Sequence, residues 1–97
     1  MITIAAVCRT VPGLTEAQLA RWVEAEWVRP ALHDGELAFS DSDVARIRLI
    51  LDLLGPLEVE QRTLPVVLSL VDQLYATRWR LRRVLEAVKE GKTEVLF

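Results

Sequence analysis

The stretch TLPVVLSLVDQLYATRWRLRRVLEAV, residues 63–88, contains no glycine, and its one proline, Pro65, stands near its start. The first turn of a helix tolerates proline, because the N–H that proline lacks would have no intrahelical partner there. Numbering Leu64 as position a of a heptad puts Leu64, Val71, Arg78 and Leu85 at a, and Val67, Leu74, Leu81 and Val88 at d. This spacing predicts one helix over about residues 63–90, nearly 40 Å long at about 1.5 Å per residue. A chain of 97 residues cannot cover a helix of that length, so part of it must project or pair. The seam Val71, Leu74, Arg78, Leu81, Leu85 and Val88 predicts a homodimer, with Arg78 as the polar a-position residue that fixes register. Gly91 ends the helix, and a frayed tail is expected over residues 92–97, where TEVLF looks like part of an engineered protease site.

Upstream, Ser40, Asp41 and Ser42 offer caps for a helix over about residues 41–54, with Asp41 and Asp43 where negative charge complements a helix N-terminus. Val44, Ile47, Leu51 and Leu54 recur at buried spacing, and Gly55-Pro56 stops the run. Asp34-Gly35, flanked by apolar residues, is a tight-turn dipeptide and predicts a small β-wing over about residues 31–39. Before it, Thr15 and Gln18 form a capping-box pattern that starts a helix over about residues 15–27, with Leu19, Trp22, Val23 and Trp27 on one face. Ile4, Val7 and Cys8 predict a short helix over about residues 3–9, broken by Pro12-Gly13. The expected architecture is mainly α, in one domain over residues 1–91.

Composition removes several function classes. Cys8 is the only cysteine and His33 the only histidine, so neither a disulfide framework nor a thiolate zinc site is expected, and His33 reads as a solvent-facing or wing-stabilising residue. No nucleophile elbow, P-loop or dinucleotide fingerprint is present, and neither enzymatic activity nor a cofactor is expected. The apolar runs are too short to span a bilayer, and MITIAAVCRT lacks the positive lead of a signal peptide, which makes the cytoplasm the expected compartment. Charge is segregated along the chain. Residues 16–60 carry ten acids against four arginines, whereas residues 61–92 carry seven bases against three acids.

Three stretches carry a family resemblance: ITIAAVCRTVPGLTEAQLARWVEAEWVRP (2–30), LAFSDSDVARIRLILDL (37–53) and LPVVLSLVDQLYATRWRLRRVL (64–85). The features are a Gly13-Leu14-Thr15-Glu16 helix start, a Val28-x-Pro30 exit, Phe39-Ser40 before an acidic helix start, and Pro65, Leu68, Leu70 and Asp72 leading into an Arg-rich helix. In order and spacing the chain resembles the CbpM family of chaperone modulators, which has a MerR-like winged helix-turn-helix fold with a long C-terminal helix. The resemblance implies an inhibitor that docks on the J-domain of a CbpA/DnaJ-type co-chaperone and blocks its productive contact with a DnaK-type chaperone. It also implies dimerisation through the last helix.

The alternative from another class is a MerR-like DNA-binding transcriptional regulator. A DNA reader needs lysines and arginines around its recognition helix to neutralise phosphates. Here Glu16, Glu24 and Glu26 stand against Arg21 alone, and Asp34 and Glu36 follow in the wing. An acidic front instead complements a basic helix, which J-domains expose. Glu24, Glu26, Asp34, Glu36, Asp41 and Asp43 are therefore the expected partner-binding residues, with Trp27 as an apolar anchor.

Overall fold

The computed structural model describes residues 2–91. It is mainly helical, with four helices and one two-stranded sheet: α1 (Ile4–Thr10), α2 (Glu16–Glu24), β1 (Ala31–His33), β2 (Glu36–Ala38), α3 (Asp41–Leu54) and α4 (Leu64–Lys89). The expected frayed tail lies outside the described residues. The chain divides into two compact units, residues 1–64 and residues 65–97.

The first unit is assembled from capped helices around a small core. Thr3 caps α1 by accepting from the Ala6 N–H at 3.2 Å, and Thr15 caps α2 by accepting from the Gln18 N–H at 3.1 Å. Capping α3 takes two reciprocal bonds: the Ser40 hydroxyl accepts from the Asp43 N–H at 3.1 Å, and the Asp43 carboxylate accepts from the Ser40 N–H at 2.9 Å. Both orphan donors are thereby satisfied. The β-strands pair antiparallel with His33 opposite Glu36, which leaves Asp34-Gly35 as a two-residue loop. Both loop residues have positive φ (50° and 79°), as a type I′ hairpin turn requires.

Immediately after β2, Phe39 pairs with the N-terminal segment. The Ile2 N–H donates to the Phe39 carbonyl at 2.8 Å and the Phe39 N–H to the Ile2 carbonyl at 2.7 Å. The Phe39 side chain is fully buried, as are Val7, Leu19, Val28, Ile47, Ile50 and Leu64. Val11 and Leu14, on the turn between α1 and α2, are also buried, so this turn belongs to the core.

Helix α2 ends three residues earlier than its sequence pattern predicts. Glu26 takes a left-handed conformation (φ 63°), its N–H donates to the Val23 carbonyl, and the Trp27 N–H donates to the Trp22 carbonyl at 2.9 Å. These are the two bonds of a Schellman motif, which closes a helix with a residue at positive φ. The motif's usual apolar contact is the Trp22–Trp27 ring pair, 6.4 Å between centroids and tilted by 36°. Trp27 is thus a capping residue beyond α2 and does not lie on its face. Helix α3 has the predicted bounds, but its buried positions are Val44, Ile47, Ile50 and Leu53, and Leu51 and Leu54 are half-buried.

The second unit is the body of α4. Val71 is half-buried, whereas Leu74, Tyr75, Trp79, Leu81, Leu85 and Val88 are exposed. Within it the Arg83 guanidinium lies 4.8 Å from the centre of the Trp79 ring, a cation–π contact one helical turn apart.

Two substitutions test this description by urea unfolding of the full chain. Phe39→Ala should cost about 3–5 kcal/mol, the range for emptying a fully buried aromatic site. Glu26→Gly should stabilise by up to about 1 kcal/mol, because glycine adopts positive φ without the Cβ clash. Destabilisation by Glu26→Gly would contradict the left-handed cap.

Candidate functional site

The residues available for recognition in the first unit come from three places along its chain. Glu24 and Glu26 are exposed at the C-terminal end of α2; Asp34 and Glu36 are exposed at the hairpin turn; Asp41 is exposed on the first turn of α3. Each place is held by backbone geometry. The Schellman closure positions Glu26, the type I′ turn holds Asp34, and the capping box fixes the start of α3. At the hairpin tip the His33 imidazole Nε2 lies 3.5 Å from the Asp34 carboxylate, with both side chains largely exposed. Across the unit, ten acids face six arginines.

Two of the expected partner-binding residues have structural duties. Asp43 is half-buried, and its carboxylate is held by the Ser40 N–H in the capping box. It completes the helix cap. Trp27 is half-buried, rests on Trp22, and its carbonyl accepts from the Arg46 guanidinium Nε.

Sequence periodicity did not single out a cleft of about 270 Å³ lined by Ile2, Val7, Thr10, Asp41, Val44, Ala45 and Arg48. Its two charged lining residues, Asp41 and Arg48, are about two helical turns apart on α3. The i, i+3, i+4, i+7 series Asp41, Val44, Ala45 and Arg48 was the signal in the sequence, since these positions share one helical face.

Cys8 on α1 is half-buried. Burial, and then the negative charge of Glu16, hold its thiol above the ordinary range. A raised pKa keeps it protonated at neutral pH and makes it a poor nucleophile. Among the described residues no group of three or more His, Cys, Asp or Glu side chains is placed to hold a metal ion, and no helix is long and apolar enough to cross a membrane.

Two outcomes follow from these assignments. Ser40→Ala should destabilise by about 1 kcal/mol through loss of the α3 cap, as measured by thermal unfolding. For Cys8 the folded pKa exceeds the unfolded one, so its contribution to stability is full below the ordinary thiol pKa of about 8.5 and is lost as pH rises through the folded value. Unfolding midpoints should therefore fall with pH in that alkaline window less steeply in Cys8→Ser than in the parent chain. Equal slopes would contradict the raised thiol.

Comparisons with protein-family models, with curated proteins and with solved structures returned no match.

Proposed function

We propose that this protein is a binding module that docks on the J-domain of a CbpA/DnaJ-type co-chaperone and blocks its productive contact with a DnaK-type chaperone. The observation that carries this reading is the exposed acidity of the first unit: Glu24, Glu26, Asp34, Glu36 and Asp41 stand in solvent at well-held positions. A basic helix is the complementary partner, and charge complementarity both steers encounter and rejects like-charged competitors. The order α1, short turn, α2, hairpin, α3 and long α4 supports a MerR-like winged helix-turn-helix as the scaffold.

The acidity weighs against the DNA-reading alternative. Exposed Glu16 and Glu24 on α2, with Glu26 just beyond it, would repel the phosphates that the corresponding helix of a DNA reader must approach. The four arginines Arg78, Arg80, Arg82 and Arg83 lie on α4, in the other unit.

Titration of a fluorescently labelled CbpA-type J-domain with the full chain tests the proposal. Binding should weaken as salt rises, because exposed charge pairs are screened within about 10 Å at 0.1 M ionic strength. Reversing Glu24 and Glu26 together to lysine should weaken it at least tenfold while circular dichroism stays unchanged. Failure to bind at tens of micromolar, or a salt-sensitive gel shift with random duplex DNA, would overturn the reading.

A further inference from the structure

The side chains of α4 are sorted around its axis as well as along it. Val66, Leu70, Leu74, Leu81, Leu85 and Val88 are each at least half exposed. At about 100° per residue these six, with Thr77, fall within an arc of roughly 100°. Exposed Arg78, Arg82 and Lys89 lie along one edge of this arc and exposed Arg80 lies along the other. All four are roughly 70–110° from the centre of the arc. Asp72 and Glu86 stand on the opposite side of the helix, where Arg83 lies over the Trp79 ring. From residue 78 to residue 89 the helix carries five bases and one acid, Glu86.

We propose that α4 lies flat on an anionic lipid surface. Its aliphatic arc enters the boundary between headgroups and acyl chains, and the flanking bases meet the lipid phosphates. A partner that touches both basic edges at once, with an apolar strip between them, has to be broad, apolar within and anionic at its surface. A bilayer with acidic headgroups has that layering, and long basic side chains at the margins of an apolar face reach outward to it. A nucleic-acid strand would use arginines gathered on one face with the aromatic rings, and it would leave the aliphatic arc in water. Here that arc separates Arg80 from Arg78 and Arg82. The two acids point away from the surface, where their repulsion is least. Lying on a membrane needs no spanning length, and no helix among the described residues has one. The first unit, with ten acids to six arginines, gains nothing from an anionic surface.

This surface is independent of the J-domain reading and is tested on the full chain without a co-chaperone. The chain should co-sediment with vesicles of equal parts phosphatidylcholine and phosphatidylglycerol, and far less with vesicles of phosphatidylcholine alone. Arg78→Gln with Arg82→Gln should weaken that binding by at least about tenfold, whereas lysine at both positions should keep it, because the surface reads charge. Leu81→Ser with Leu85→Ser should also weaken it at low salt. In a Cys8→Ser background, an environment-sensitive dye at Leu81→Cys should shift to the blue on adding the acidic vesicles, and the same dye at Glu86→Cys should not. Equal binding to both kinds of vesicle would overturn the proposal, as would a blue shift at Glu86→Cys without one at Leu81→Cys. Retention of single-stranded oligouridylate, or a stable dimer, with the acidic vesicles left unbound would overturn it in favour of another occupant. The dye result stands even if a double variant fails to fold.

Discussion

One pair of adjacent residues, Phe39-Ser40, holds the first unit together. The Phe39 backbone pairs in both directions with Ile2, which anchors the start of the chain to the strand leaving the hairpin. Its side chain is fully buried in the core. One residue later, Ser40 closes the reciprocal cap of α3 with Asp43. The hairpin, the N-terminus and the longest helix of the unit therefore share a single junction. A displacement there would move the hairpin turn and the start of α3 together, and with them Asp34, Glu36 and Asp41.

This junction explains how a small unit displays acids at well-defined positions. A domain of this size buries a limited share of its surface and has little stability to spare. Placing acids at a helix end, a tight turn and a helix start uses backbone constraints that the fold already requires. The N-terminal position of Asp41 also complements the α3 dipole, so that acid is not at odds with its helix. Four arginines lie close together on α4 at residues 78–83, and there Arg83 is partly occupied by the Trp79 ring.

Much of this was legible in the sequence. The bounds of α3 and α4, the Asp34-Gly35 hairpin and the Thr15 and Ser40 caps all follow from local rules, because each depends on residues within a few positions of one another. The end of α2 did not. A Schellman closure is ordinarily signalled by glycine, and here Glu26 takes the left-handed position, so the pattern continued to Trp27 with no visible stop. Asp43 was legible as a helix-start acid, but whether its carboxylate turned inward to the Ser40 N–H or outward to a partner was a matter of rotamer. On α4, the sequence admits two overlapping apolar registers, one through Arg78 and one through Leu70 and Thr77. Leu74, Leu81, Leu85 and Val88 belong to both and are exposed, so exposure does not choose between them.

The J-domain reading assigns recognition to the acidic unit and none to the arginines of α4. Amide chemical-shift mapping of the isotope-labelled full chain, titrated with an unlabelled CbpA-type J-domain, tests it most directly. The largest shifts should fall at Glu24–Glu26, Asp34–Glu36 and Asp41, with residues 78–83 unmoved. The largest shifts at residues 78–83, with the acidic positions silent, would contradict it.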